Sequence, residues 1–317
     1  MHELESYQLI VIALGAISFG VYLLVIGGDW TVDNAVIVAE KSGLSKHFIA
    51  ATVVAFGTSA PELFTSINAN LSGFPGISVG NVIGSNIANV LMVIGISAII
   101  APVAFKASEV RVDTLVMLGA TVAMAAAIWN GLLPRWGGIA MVVAIGLYLI
   151  YQFKASKLDV DDIEESEGGS TKPLLMLAAG ILTLLIGSEV LVQGAVAGGV
   201  ALGVPEAVIG MTMIAFGTSL PELTACVSAA RKGHSDMIIG GIIGSNIFNI
   251  LSVMAFSAIA KPLVMESRFA AFDLPIVIAV TLLFAAFLLF AGRIGRLAGA
   301  LMAFGYLAFI VAQYALA

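Results

Sequence analysis

Ala55-Phe56-Gly57-Thr58-Ser59-Ala60-Pro61-Glu62 is written again 160 residues later as Ala215-Phe216-Gly217-Thr218-Ser219-Leu220-Pro221-Glu222. A second pair follows at the same separation, Gly84-Ser85-Asn86-Ile87-Ala88-Asn89 and Gly244-Ser245-Asn246-Ile247-Phe248-Asn249. All four stretches lie in apolar sequence, where carboxylates, prolines, hydroxyls and carboxamides are out of place. An ionisable side chain at bilayer depth costs about 2.5–3.5 kcal/mol on insertion scales, and so marks a functional site by default. Two such clusters at a fixed separation point to one site shared between two halves of the chain.

The surrounding composition agrees with a membrane setting. The 317 residues are 60% hydrophobic and only 11% charged, with a mean hydropathy of +1.07. Soluble domains carry about 25% charged residues, so a polytopic membrane protein is expected. The lone Cys226 has no disulfide partner and sits in an apolar run, where a buried hydrophobe is the expected role. Met1-His2-Glu3-Leu4-Glu5 lacks the basic n-region of a signal peptide, so the first apolar run is expected to be retained. The net charge of −6 comes mostly from Asp159, Asp161, Asp162, Glu164, Glu165 and Glu167 in one polar stretch.

A helix needs about 20 apolar residues to cross the hydrocarbon. That rule predicts ten transmembrane helices, near 7–28, 47–71, 76–101, 111–131, 134–153, 173–194, 205–230, 235–260, 270–291 and 295–316. The domain reading is a first five-helix repeat over 1–153, an acidic linker over 154–172, and a second repeat over 173–317. With the N-terminus outside, the cytoplasmic loops hold eleven basic residues: Lys41, Lys46, Lys106, Arg111, Lys154, Lys157, Lys172, Arg231, Lys232, Arg293 and Arg296. The other face holds three, Arg135, Lys261 and Arg268. The positive-inside rule then places both termini outside and the linker in the cytoplasm. Adding 160 also carries Asp29 to Glu189, Gly43 to Gly203, Pro102 to Pro262 and Asp113 to Asp273. Five spans per half is an odd number, so the second half enters the membrane from the opposite side. The expected fold is therefore all-α, two inverted-topology five-helix repeats, with helices 2, 3, 7 and 8 broken around a midmembrane site.

Chemistry follows from the residue types. Proline lacks an N–H, so Pro61 frees the carbonyl of Gly57 and Pro221 that of Gly217. A free carbonyl inside a bilayer needs another helix, a water or a cation. On a helix Thr58, Ser59 and Glu62 share a face, and so do Ser85 and Asn89, or Ser245 and Asn249, while Asn86 and Asn246 point elsewhere. The ligand set is nearly all oxygen, which suits hard cations, above all Ca2+ with six to eight oxygens at about 2.3–2.6 Å. With no His or Cys expected beside the clusters, zinc and copper are disfavoured. Anions are disfavoured because spans 2, 3, 7 and 8 carry no Lys or Arg in their interiors.

Other polar features have plainer readings. Gly80-x-x-x-Gly84 and Gly240-x-x-x-Gly244 match the small-xxx-small pattern of close helix packing. His2, His47 and His234 fall in loops or at span ends, as solvated histidines would. Asp29, Asp33, Glu40 and Glu189 read as solvated or interfacial, and Asp113 and Asp273 as helix-start residues. The acidic run fails the calcium-binding EF-hand template, which wants Gly at loop position 6 where Glu164 stands.

The motifs resemble the alpha repeats of the sodium/calcium exchanger family, within the cation/calcium antiporter superfamily. Phe-Gly-Thr-Ser-x-Pro-Glu-Leu stands at 56–63 and 216–223, and Gly-Ser-Asn-Ile-x-Asn at 84–89 and 244–249. The likeness covers essentially the whole chain, as in prokaryotic-type members without regulatory domains. It implies exchange of Na+ or H+ for Ca2+ by alternating access, with spans 1 and 6 sliding against the other eight. It implies Glu62 and Glu222 as central carboxylates, with Thr58 and Thr218 beside them on Ca2+. Ser59 and Ser219 join as Na+ or Ca2+ ligands, and Ser85, Ser245 and the carbonyls of Ala55 and Ala215 complete outer Na+ sites. Some relatives carry Asp in place of one closing asparagine. This chain has Asn89 and Asn249, so the pocket has two acidic side chains, enough to neutralise one Ca2+.

The expectation is thus a Na+/Ca2+ antiporter of the plasma (inner) membrane, not an enzyme. No cofactor is expected, since Ca2+ and Na+ bind as transported substrates, and the partners are those ions and the lipid bilayer. No nucleic acid or required protein partner is expected. A Ca2+/H+ or other monovalent/divalent cation antiporter using the same glutamates is the alternative, and a passive cation channel a further one. Membrane-embedded catalysis lacks a nucleophile–base pair.

Overall fold

A computed structural model describes residues 6–156, 171–202 and 215–316. Most of the acidic linker and the first ten residues of the seventh predicted span lie outside the described residues. Eight described helices are long and apolar enough to cross a membrane, and a ninth crossing is a pair bent by 41°.

The first helix, α1 (Ser6–Ser42), runs 37 residues, well past the expected end at 28. At 1.5 Å per residue it is about 55 Å long, against about 30 Å of hydrocarbon. Hydropathy marks where lipid ends, not where the helix ends. Asp29, Asp33 and Glu40 continue the helix because nothing breaks it before Gly43, whose φ of +64° suits glycine. The sixth span, α9 (Thr171–Ala201), is likewise longer than expected. These two long helices pack along each other. A Cβ on Gly27 would sit 3.0 Å from the Gly180 carbonyl, and one on Gly20 would sit 2.8 Å from that of Gly187.

The second span is divided as the motif requires. It comprises α2 (Lys46–Ile49), a π-helical turn (Ala50–Val54), α3 (Ala55–Thr58), a break at Ser59, and α4 (Ala60–Leu71). Ser59 leaves helical geometry at ψ 7°, and Pro61 occupies the first turn of α4, where its missing N–H is tolerated. The described part of span 7 repeats this as α10 (Ala215–Thr218), a break at Ser219 with ψ 5°, and α11 (Leu220–Lys232).

Spans 3 and 8 depart from the expectation of broken helices. Span 3 is α5 (Pro75–Ala88), a π-helical turn (Asn89–Ile94) and α6 (Gly95–Ile100), and runs on without a break. Span 8 is α12 (Ser235–Phe248), a π-helical turn (Asn249–Met254) and α13 (Ala255–Ala260). Neither contains an interior proline, so each accommodates its asparagine by widening one turn, a device frequent at functional sites.

The outer crossings are α7 (Ala107–Trp129), α8 (Arg135–Ala155), α14 (Leu274–Ala286, entered through a π-helical turn at Phe269–Asp273) and α15 (Arg296–Leu316). Short antiparallel ladders tie the halves together. β1 (Val103–Ala104) pairs with β4 (Arg293–Ile294), and β2 (Leu132–Leu133) with β3 (Leu263–Val264). Other bonds sort the loops the same way. Ser45 N–H donates to Ser156 O at 3.2 Å, and Ala104 N–H to Ser235 Oγ at 3.3 Å. At the other end Met265 N–H donates to Gly131 O at 2.9 Å, and Asn70 Nδ2 to Lys261 O at 2.7 Å. The loops thus fall into two groups, one per face, as alternate crossings require.

Three buried polar positions differ from the plain readings of the sequence. His47 is not solvated: Nε2 lies 2.6 Å from Asp113 Oδ2, with the histidine side chain 16% exposed. Asp113 lies in the second turn of α7 and is buried, and its Oδ1 accepts from Gln152 at 2.7 Å. Its role is to join three helices rather than to start one. Asp273 accepts a bond from Gln313 of α15 instead of capping its own helix. Burial of Asp113 against its neighbours leaves it no water, so side chains replace it.

Candidate cation site

The four motif segments meet in the interior of the described structure. Glu62 and Glu222 each stand in the first turn after a break, 1% and 3% exposed. They are close enough to repel each other. Each glutamate is faced by hydroxyls from the opposite half. Ser59 Oγ donates to Glu222 Oε1 at 3.2 Å, while Thr58 stands beside Glu222 and Thr218 beside Glu62. The breaks put these residues at helix ends, where hydroxyl and carboxylate converge across the two halves.

Spans 3 and 8 close the site through carboxamides. Asn249 Nδ2 donates to Ser85 Oγ at 2.9 Å, and Asn89 Nδ2 donates to Asn246 Oδ1 at 3.0 Å. With their amides so engaged, the side-chain oxygens of Asn89 and Asn249 are left buried without a partner. Asn86 does point elsewhere, bonding Val82 O at 2.7 Å. Asn246, expected to point away as well, instead fixes the Asn89 amide. Only the packing of span 3 against span 8 brings them together, so spacing along one helix held no signal for it.

The freed carbonyls meet different surroundings. Ser188 Oγ of α9 donates to Gly217 O at 2.6 Å, the partner that Pro221 makes necessary. Gly28 occupies the corresponding place in α1 and offers no hydroxyl. Thr58 Oγ1 donates to Ala55 O at 3.3 Å, and Ala215 opens α10 at the matching position. Ser245 is buried and, with Thr58, Glu222 and Ala55, lines a cavity of 20 Å³. That is room for about one water-sized centre. Cys226, one turn beyond Glu222, lines the same cavity. The expectation that no cysteine lies nearby is therefore corrected, although no group of three or more His, Cys, Asp or Glu able to hold a metal occurs among the described residues.

Electrostatic accounting identifies what the arrangement lacks. Glu62 Oε2, Glu222 Oε2, Asn89 Oδ1, Asn249 Oδ1 and Ser219 Oγ are all buried with no hydrogen-bond partner. Buried polar atoms are nearly always satisfied, and an unpaired buried carboxylate is costly. Among the described ion pairs none involves either glutamate. Buried oxygen acceptors without donors, two of them carboxylate oxygens, fit a hard cation and disfavour an anion.

The sodium/calcium exchanger protein family profile matches residues 12–154 and 172–315, nearly the whole chain in two blocks. The chain belongs to the sodium/calcium exchanger family. It is 31% identical to the sodium/calcium exchanger MaX1 of Methanosarcina acetivorans, with 93% of this chain and 96% of that protein covered. An uncharacterized membrane protein of Methanocaldococcus jannaschii is 35% identical over 82% of this chain and 85% of its own length. The fold matches a structure of the sodium-calcium exchanger NCX_Mj soaked with 10 mM Na+ and 10 mM Sr2+. That match has a TM-score of 0.85 and 33% identity, covering 95% of this chain and 98% of the other. The family members are transporters, not enzymes, and this one is an integral membrane protein.

Proposed function

We propose that this protein is a secondary antiporter that exchanges Na+ for Ca2+ across the plasma (inner) membrane by alternating access. The observation that carries the reading is two buried carboxylates, each with a partnerless oxygen, together with the partnerless buried oxygens of Asn89, Asn249 and Ser219. Glu62, Glu222, Thr58 and Thr218 would hold Ca2+. Ser59, Ser219, Ser85, Ser245, Asn89, Asn249 and the carbonyls of Ala55 and Ala215 would share in the Na+ positions.

Coupling follows from charge. Two carboxylates repel when empty-handed and are neutralised by one Ca2+, or by Na+ ions taking the same oxygens. A neutral pocket crosses low-dielectric surroundings readily and a doubly negative one does not. Each cation therefore competes for the means of passage. The two halves act as inverted repeats, with both termini outside and the linker 154–172 in the cytoplasm. The sorting of the loops into two groups supports alternate crossings, and the positive-inside bias supports this orientation.

Purified protein in liposomes tests the assignment with Na+, K+ and pH gradients imposed one at a time. Radiolabelled Ca2+ uptake driven by an outward Na+ gradient alone is the expected result. Uptake that follows the pH gradient and ignores Na+ would overturn it in favour of a proton-coupled antiporter. Current with no counter-ion requirement would show a channel.

A further inference from the structure

The two faces of the site are not equivalent in this conformer. On one face a cavity of 590 Å³ reaches down to Ser85 and is lined by Gly80, Gly84, Asn81 and Asp273. Among the described residues nothing comes within 4 Å of a Cβ placed on Gly84. At the matching positions of the other half, α12 is packed shut. A Cβ on Gly240 would lie 2.6 Å from the His47 carbonyl, and one on Gly244 would lie 2.3 Å from that of Ala51. Among the described residues one Gly-x-x-x-Gly pair lines a cleft while its copy is a tight contact with the 47–51 segment, whose own copy at 207–211 lies outside the described residues.

On the shut face α1 is fastened to α11. Ser228 Oγ donates to Asp29 Oδ1 at 2.6 Å, and Lys232 Nζ lies 2.7 Å from Asp33 Oδ1. The same ammonium reaches Asp29 O and Oδ1, each at 3.2 Å. Asp29 and Asp33 are four apart, as are Ser228 and Lys232, so two facing helix turns grip each other. Shifted by 160, these positions become Glu189 and Gln193 on α9, and Asn68 and Ser72 on α4. There the grip is absent: Gln193 Nε2 donates to Glu189 Oε1 at 2.9 Å within α9, and Asn68 and Ser72 are exposed.

We propose that Asp29, Asp33, Ser228 and Lys232 form a latch that holds α1 on α11 while this face is shut, and that Glu189 and Gln193 engage Asn68 and Ser72 in the opposite conformer. The inference rests on the alternating-access reading above. The glycine contacts between α1 and α9 leave no slack, so the two helices move together and one latch opens as the other closes. The latches differ in strength. The first carries a lysine between two carboxylates, and its counterpart has no basic residue. Lys232 and its aspartates are thus positioning residues that bias the protein toward the conformer with the 590 Å³ cleft open.

The test uses the full chain in liposomes, with sided cation affinities and a cross-link as separate readouts. Lys232→Met is expected to raise the half-saturating Ca2+ concentration on the open-cleft face about three- to ten-fold and to lower it on the other face, in line with a small charged network. The pair Asn68→Cys and Gln193→Cys, with Cys226 replaced by Ala, is expected to cross-link more readily when Lys232→Met is added. The exchanged pair Asp33→Lys with Lys232→Asp is expected to restore the original sidedness. Unchanged sidedness in Lys232→Met, or a cross-link that never forms while exchange proceeds, would overturn the latch. The cross-link does not depend on which ion is coupled, so failure of the Na+/Ca2+ reading would leave it intact and be told apart.

Discussion

Glu222→Gln isolates the electrostatic core of the site. The substitution keeps the side chain's shape, removes one of two buried charges, and replaces an acceptor with a donor among oxygens that already lack donors. Attraction between unit charges about 4 Å apart is about 4 kcal/mol at an effective dielectric constant of about 20. A divalent ion doubles that to about 8 kcal/mol, and altered hydration returns part of it. Even half is about 4 kcal/mol, roughly a thousand-fold in Ca2+ affinity. The apo protein should respond oppositely. Relieving the repulsion between Glu62 and Glu222 is expected to raise its melting temperature in ion-free detergent. Two assays separate these effects: Na+-driven Ca2+ uptake in liposomes, and thermal unfolding with and without Ca2+. The expected variant is folded, at least as stable as wild type without ions, insensitive to added Ca2+, and inactive. Retention of a tenth of wild-type exchange, or a full Ca2+-dependent stabilisation, would refute the reasoning.

Three further substitutions probe the frame around the site. Gly244→Ala places a methyl 2.3 Å from the Ala51 carbonyl, backbone against backbone, and should lower stability by about 1–3 kcal/mol. Gly84→Ala should not, and thermal melts compare the two. Asn70→Ala removes the donor to Ser257 O at 2.9 Å and Lys261 O at 2.7 Å at the end of α13. Two carbonyls left short of partners predict a loss of about 2 kcal/mol, read by denaturant or thermal unfolding. His47→Ala strips Asp113 Oδ2 of its partner at 2.6 Å while Gln152 stays on Oδ1, and should destabilise by about 1–3 kcal/mol. A double-mutant cycle with Asp113→Asn should recover much of that loss, and strict additivity would show that the contact carries no energy.

What could be read from sequence was whatever violates its surroundings locally. A glutamate and a proline in an apolar run announce themselves, and the 160-residue repeat multiplies the signal. Thr58, Ser59, Glu62 and their copies stood out for that reason, as did a break in each of spans 2 and 7, though not its position at Ser59 and Ser219. Contacts made between distant segments left no such mark. Asn246 reaching Asn89, Ser188 reaching Gly217 and His47 reaching Asp113 span 157, 29 and 66 residues. The π-helical turns at 89–94 and 249–254 are tertiary accommodations of helices with good local propensity. Helix length was misjudged in α1 because charged residues end a hydrophobic run without ending a helix, and in α9 because the uncharged, glycine-containing stretch 195–201 continues the helix.

The same contrast explains how a duplicated sequence yields an unequal structure. If both halves took one conformation, the grip of α1 on α11 would have a copy between α9 and α4. Instead Ser228 and Lys232 hold Asp29 and Asp33, while Gln193 donates to Glu189 within α9. The two halves therefore stand in different arrangements. The choice between them must then rest on residues where the halves differ. Among those differences are residues where the long helices touch the broken ones. Ser188 stands opposite Gly28, Asp33 opposite Gln193, and Lys232 opposite Ser72. The repeated residues make a site that serves both faces, and the unrepeated ones decide which face is open.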